Sequence, residues 1–84
     1  MNENGIFAAR LRLRMASKLY SQNRLAKECG IERTQISKYL NCVCAPNARQ
    51  LWRLCRALDC SADYLIGLSD YPFTADKILK ALGK

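Results

Sequence analysis

The 84-residue chain contains no histidine and only four glycines. Histidine is the side chain that most often acts as a general acid or base near neutral pH. No glycine-rich phosphate loop occurs, no cysteine is paired with a recognisable base, and no two carboxylates lie three or four residues apart within one predicted helix. Asp59 and Asp63 are four residues apart, but they straddle a predicted helix start. We therefore expect a protein that is not an enzyme.

Long apolar runs are also missing. The longest are four residues, as from Ile6 to Ala9, whereas a membrane-spanning helix needs about 20. The first five residues are polar and do not resemble a signal peptide. We expect a soluble, cytoplasmic protein, and a length of 84 residues favours a single domain.

The five cysteines do not follow a metal-binding or disulfide pattern. Their odd number, without a secretory segment, argues against a disulfide framework. Only Cys42 and Cys44 are closely spaced, and no second pair accompanies them, so we expect neither a metal nor another cofactor. Cys29, Cys55 and Cys60 fall at positions that we predict to be buried, where cysteine acts as a small apolar side chain.

Acidic residues are scarce and unevenly placed. The net charge is +7, from 14 Lys and Arg against 7 Asp and Glu. Residues 1–56 hold 11 basic and 3 acidic residues, so +8, and residues 57–84 hold 3 and 4, so −1. A polarised positive surface favours a polyanionic partner such as a nucleic acid, although a small soluble protein can simply be basic.

Apolar residues recur with helical spacing, and no segment alternates with the period of a strand. We predict an all-α fold, a compact five-helix bundle spanning residues 1–69. The predicted helices run from about Ile6 to Ser17, from Gln22 to Cys29, from Arg33 to Leu40, from a cap at Asn47, and from a cap at Ser61 to Gly67. Residues 70–84 form a tail in which a sixth helix could begin at Thr74.

The second and third predicted helices form a unit. Ser21 is a suitable N-cap, Gly30 ends the second helix, and three residues separate the two helices. Arg, Thr, Ser and Lys occupy the outer face of the third helix, and the nearest acidic residue is Glu32 at its start. This pattern favours a helix-turn-helix over an ordinary pair of packed helices, because a solvated helix face usually mixes acidic and basic residues.

Around this unit the chain resembles the lambda-repressor-like helix-turn-helix family, also called the Cro/repressor or XRE type. The resemblance covers about residues 6–68. It is carried by Phe7-x-x-Arg10-Leu11, Ser21-Gln22-x-x-Leu25-Ala26, Gly30-Ile31, Ile36-Ser37, Pro46, Leu51, Leu54, Ala57-Leu58 and Leu65. It implies a DNA-binding domain of bacterial or phage origin, with the third helix in the major groove of double-stranded DNA.

The resemblance also implies roles for individual residues. Those expected to contact base edges are Arg33, Thr34 and Lys38, with Gln35 and Ser37 beside them. Those expected to contact phosphates are Gln22, Asn41, Arg10 and Arg14. The chemistry agrees, since an arginine can donate two hydrogen bonds to guanine and a threonine methyl can pack on thymine.

Three positions depart from the family pattern. Met15 and Leu40 stand where the family often has a buried arginine–glutamate pair, which apolar residues can replace. Glu32 stands where the family often has Ser or Thr, which are better caps. Cys42 replaces a glycine, so we expect strain there if that position needs a positive φ.

We therefore expect a sequence-specific transcription regulator, a repressor, that binds an inverted repeat as a homodimer. The alternative is an antitoxin or another interaction module whose main partner is a protein bound through the 70–84 tail. Four aromatic or apolar residues could form the dimer surface or instead pack the tail onto the domain: Tyr64, Leu68, Tyr71 and Phe73.

Overall fold

The computed structural model describes residues 3–73. Over this range the chain is all-helical, without a strand, as predicted. The helices are α1 (Glu3–Lys18), α2 (Gln22–Cys29), α3 (Arg33–Leu40), α4 (Ala48–Leu58) and α5 (Ala62–Leu65). The bounds of α2 and α3 are those predicted, whereas α1 extends beyond the prediction at both ends. The predicted sixth helix from Thr74 lies outside the described residues.

Side-chain caps begin three of the helices at the predicted positions. Ser21 Oγ accepts from the amide of Arg24 at 3.1 Å, and Asn47 Oδ1 accepts from that of Gln50 at 2.9 Å. Ser61 Oγ accepts from the amide of Tyr64 at 3.2 Å. Each cap satisfies an amide that the first helical turn would leave unpaired.

A residue with a positive φ follows each of the five helices, and only two of the five, Gly30 and Gly67, are glycines. Gly30 has φ 70°, whereas Leu19, Cys42 and Asp59 have φ 58°, 62° and 52°. After α3, Cys42 N donates to Tyr39 O at 3.2 Å and Val43 N donates to Lys38 O at 2.9 Å. These two bonds form a Schellman motif with Cys42 at the position that usually holds glycine. Cys42 therefore has the positive φ that was the condition for strain at this position.

The core is formed by side chains from all five helices. Met15 and Leu40 are both buried in it, so the apolar replacement of the family's ion pair is observed. The fully enclosed large side chains come from all five helices and are Leu11, Leu25, Ile36, Tyr39, Leu54, Leu58 and Leu65. Three cysteines were predicted to be buried, and of these only Cys29 is buried. That prediction was wrong for Cys55 and Cys60, which are half-buried because they line an open cleft.

The chain beyond α5 folds back onto the domain as far as the structure describes it. Ser61 N donates to Pro72 O at 2.7 Å, and Tyr71 N donates to Ser69 Oγ at 3.1 Å. Tyr64 is buried in the core, so the exposed candidates for a dimer surface are Leu68, Tyr71 and Phe73. Among residues 3–73, no helix has the length and apolar character to cross a membrane.

Candidate nucleic-acid interface

The pairing of α2 with α3 depends on a three-residue turn. Gly30 adopts the left-handed conformation that ends α2, and its amide donates to Ala26 O at 2.9 Å. Ile31 is buried and anchors the turn to the core. Glu32 is the N-cap residue of α3, but its side chain makes no capping hydrogen bond. Glu32 is therefore the poorer cap that the sequence predicted. Its negative charge still lies at the N-terminal end of α3, where it interacts favourably with the helix dipole.

The inner face of α3 is fixed to the core. Ile36, Tyr39 and Leu40 are buried, and the Tyr39 ring packs edge-on against Phe7 with centroids 5.8 Å apart. The Tyr39 hydroxyl donates to Gln50 Oε1, which ties α3 to α4. The side chain of Gln50 therefore contacts α3, while its backbone amide donates to the cap residue Asn47. Burial raises the pKa of Tyr39, so its hydroxyl keeps the proton that it donates.

The outer face of α3 presents cations and a hydroxyl to solvent. Arg33, Thr34 and Lys38 are exposed, as the sequence predicted. No acidic residue occurs between Arg33 and Leu40. The face can therefore approach a polyanion without the repulsion of a carboxylate within the helix.

The other predicted residues of α3 and its end are held within the chain. Gln35 is half-buried and its Nε2 donates to Cys44 Sγ at 3.3 Å. Asn41 Nδ2 donates to Ser37 O at 2.9 Å and to Ser37 Oγ at 3.3 Å. These bonds shape the C-terminal end of α3 and limit how far Ser37 and Asn41 can reach outward.

Gln22 lies at the first position of α2 and is half-buried. Ser21 satisfies the amide of Arg24, and Leu25 N donates to Ser21 O at 2.9 Å. The amides of Gln22 and Asn23 have no acceptor within the helix, because the first turn precedes the repeating pattern. Together with the helix dipole they form a positive end beside the Gln22 side chain.

Arg10 and Arg14, predicted to contact phosphates, are engaged inside the chain. Arg10 Nη1 donates to Tyr64 O at 2.9 Å and also to Ser69 O, while its guanidinium lies 4.4 Å from the centroid of the Tyr64 ring. Arg14 Nη2 donates to Leu58 O at 3.0 Å. Since these partners belong to the end of α4, to α5 and to the chain beyond it, both arginines hold that side of the domain together.

The arginine between them, Arg12, was missed by sequence reasoning. Its side chain is exposed, and Nη2 donates to Leu40 O at 3.3 Å. Arg12 therefore lies at the C-terminal end of α3, where its charge also suits the helix dipole. The spacing of the three arginines in α1 could have indicated this. Residues two positions apart on a helix point about 200° apart, so Arg12 cannot share a face with Arg10 and Arg14.

Comparisons with known proteins agree with this geometry. The family model described as helix-turn-helix matches residues 11–65. No curated protein matches the chain. A hypothetical transcription factor from Neisseria is similar in fold, with a TM-score of 0.73, 24% identity, and coverage of 95% of this chain and 85% of that one.

Two further solved structures are similar to this chain in both fold and sequence. The P22 c2 repressor in complex with a synthetic operator has a TM-score of 0.71 and 32% identity, covering 75% of this chain and 96% of that one. The restriction-modification controller protein C.AhdI from Aeromonas hydrophila has a TM-score of 0.70 and 26% identity, covering 74% and 94%.

The chain belongs to the helix-turn-helix family, and within it to the lambda-repressor-like, XRE type that its sequence resembles. This is a family of DNA-binding transcription regulators and not a class of enzymes.

Proposed function

We propose that this protein is a transcriptional repressor that binds a specific double-stranded DNA operator as a homodimer, with α3 in the major groove. The observation that carries the proposal is the outer face of α3. It combines the exposed side chains of Arg33, Thr34 and Lys38 on a helix whose opposite face is locked into the core. A rigid helix of this width fits the major groove, where arginine and threonine can distinguish base pairs.

Base contacts are assigned to Arg33, Thr34 and Lys38. Arg33 stands at the first turn of α3, where recognition helices approach base edges. Lys38, one turn further on, supplies a less directional charge that suits either guanine or phosphate. Gln35 and Ser37 are assigned a supporting role, since both make hydrogen bonds within the chain.

Phosphate contacts are assigned to the two ends of the α2–α3 unit. At one end, Gln22 and the unpaired amides of α2 offer donors to a phosphate. At the other end, Arg12 and Asn41 flank the C-terminus of α3. Such contacts fix the orientation of α3 on the duplex without reading its sequence. Arg12 and Asn41 are exposed, whereas Arg10 and Arg14 are half-buried. Arg10 and Arg14 would therefore contact phosphate only by giving up the hydrogen bonds that hold that side of the domain together.

The homodimer and the repressor role are supported by the molecule's exposed apolar residues and by its relatives. Leu68 and Tyr71 are 77% and 67% exposed and lie close together in sequence beyond α5. Apolar side chains clustered in this way are typical of an interaction surface. Two of the similar structures are those of the P22 c2 repressor, one of them bound to an operator.

Selection of bound duplexes from a random DNA pool at moderate salt tests the proposal. We expect enrichment of an inverted repeat whose half-site centres lie about 10 bp apart. Enrichment of a single half-site would contradict the homodimer and retain specific recognition. A folded protein that enriches no sequence would overturn the proposal and favour the protein-binding alternative.

A further inference from the structure

The end of α4 brings two thiols together. Asp59 adopts a left-handed conformation, and the chain then turns so that Cys60 N donates to Cys55 O at 3.1 Å. In this Schellman arrangement the residues at the positions of Cys55 and Cys60 make a side-chain contact. The side chains of Cys55 and Cys60 are therefore neighbours at the end of α4, and both thiols are reduced.

These two thiols are accessible. Cys55 and Cys60 are each half-buried and line the same open cleft of about 490 Å³. The same cleft is also lined by the exposed residue Trp52 and by Arg56, Pro72 and Phe73. A small polar oxidant can therefore reach the sulfur atoms without unfolding the domain.

The surroundings distinguish the two sulfur atoms. The hydrogen bond from Cys55 and the positive charge of Arg14 lower the pKa of Cys60, against the opposing effects of burial and of Asp59. The same hydrogen bond, with burial, raises the pKa of Cys55. Because a thiolate is the reactive nucleophile, these effects favour Cys60 as the attacking residue of the pair and Cys55 as the residue that resolves the product.

We propose that Cys55 and Cys60 form a modification site at which a peroxide converts two neighbouring thiols into an intramolecular disulfide. The Cys60 thiolate attacks one oxygen of the peroxide, the O–O bond breaks, and hydroxide leaves, so that sulfur is oxidised to a sulfenic acid and the peroxide is reduced. The Cys55 sulfur then attacks the sulfenic sulfur. The S–O bond breaks, the thiol proton of Cys55 and the sulfenic hydroxyl group leave together as water, and the S–S bond forms.

Peptide mapping tests the proposal directly, because trypsin separates the two cysteines. Cys55 lies in the tryptic peptide 54–56 and Cys60 in 57–77, whereas Cys42 and Cys44 share peptide 39–49. The full chain is treated with hydrogen peroxide, its remaining thiols are alkylated, and it is digested without reductant. We expect 54–56 joined to 57–77 as the main oxidised product, with a loss of about 2 Da relative to the two thiol peptides.

Two variants separate this site from general thiol oxidation. Cys55→Ser is expected to lose the linked product and to leave a sulfenic acid at Cys60 that dimedone traps, while Cys60→Ser is expected to leave Cys55 unoxidised. Cys42→Ser is the matched control, because Cys42 is exposed and lies outside the cleft; it should leave the linked product unchanged. The proposal is overturned if the main disulfide involves peptide 39–49, or if Cys55 and Cys60 stay reduced while Cys42 is oxidised.

Discussion

At the residue scale, Arg33 is the proposed base contact with the most selective chemistry, because an arginine can donate two hydrogen bonds to guanine. It is exposed at the start of α3, whereas Gln35 and Ser37 are partly covered and hydrogen bonded within the chain. We expect Arg33→Ala to relax the preference at one base pair in each half-site, at a cost of about 1–3 kcal/mol for the preferred base. The measurement is binding of the selected operator and its single-base variants at fixed salt.

The control for this prediction is stability. Arg33 is exposed and is not part of the core. The melting temperature of Arg33→Ala should therefore match that of the parent protein. An unchanged base preference in this folded variant would show that Arg33 contacts only the backbone or no DNA at all.

Gln22 is expected to behave differently, because its proposed partner is a phosphate. Gln22→Ala should weaken binding to specific and to random duplexes by similar factors, since a backbone contact carries no sequence information. Asn23→Ala is a suitable companion, because Asn23 is exposed and follows Gln22 at the same end of α2. A loss confined to one base position would contradict the backbone role of Gln22.

The face of each residue of α3 was predictable from the sequence, whereas the partners of the arginines in α1 were not. Helical periodicity alone separates the buried Ile36 and Leu40 from the exposed Arg33 and Lys38. The place of Arg12 beside Leu40 depends on how α1 crosses α3, and the ion pair of Arg10 with Asp70 depends on the path of the chain after α5. Such long-range contacts leave no local signal.

At the scale of the element, the helix starts were predictable and the helix ends less so. Ser21, Asn47 and Ser61 carry the oxygen that an N-cap requires, and each is observed as a cap. Leu19 and Cys42, in contrast, adopt left-handed conformations that their residue types disfavour. At Cys42 only the family resemblance indicated a positive φ, and at Leu19 nothing in the residue type did.

The left-handed Cys42 leads to a prediction about stability. Cys42→Gly is expected to raise the free energy of unfolding by about 1 kcal/mol, because glycine adopts φ 62° without the steric cost of a Cβ atom. Cys42 is exposed, so the change removes little packing. Thermal melting measures the effect, and a gain of about 4–8 °C is expected for a domain of this size.

Gly30→Ala is the matched opposite of this change. A Cβ atom at Gly30 would meet only Arg53 Nη1, at an unstrained 3.9 Å, so its cost comes from φ 70° and not from a clash. It should therefore lower the melting temperature by a similar amount. If Cys42→Gly destabilised the protein while Gly30→Ala behaved as expected, the Cys42 side chain would have to make a stabilising contact.

At the scale of the whole molecule, the excess positive charge and the exposed apolar residues that follow α5 lie in different parts of the chain. The first 56 residues carry a net charge of +8 and include both helices of the α2–α3 unit. The exposed apolar residues Ile66, Leu68 and Tyr71 lie together after α5. In the proposed dimer, the α2–α3 unit binds the DNA and the segment after α5 associates with a second copy, so that two recognition helices face the two half-sites of an inverted repeat.

Because the apolar residues after α5 are exposed, we predict that the proposed dimer can be disrupted without unfolding the protein. Leu68 is 77% exposed, and its backbone is held by the hydrogen bond from its amide to Asp63 O at 2.8 Å, which a serine can also make. We expect Leu68→Ser to shift the protein towards monomer in sedimentation velocity, and to weaken binding to an inverted repeat more than to a single half-site. The shift to monomer follows from the loss of apolar contact between the two copies. The weaker binding to the inverted repeat follows because two separate monomers no longer bind its half-sites together.

Leu19→Ser is the control for Leu68→Ser. Leu19 is 91% exposed, but it follows the C-terminal end of α1, whereas Gly67 approaches Ile6 near the other end of that helix. A 16-residue helix is about 24 Å long, so the two leucines lie on distant parts of the surface. If both variants sediment as the parent protein does, the dimer uses neither surface. If both variants weaken the dimer equally, the effect reflects general solubility. Only a selective effect of Leu68→Ser assigns the interface to the segment after α5.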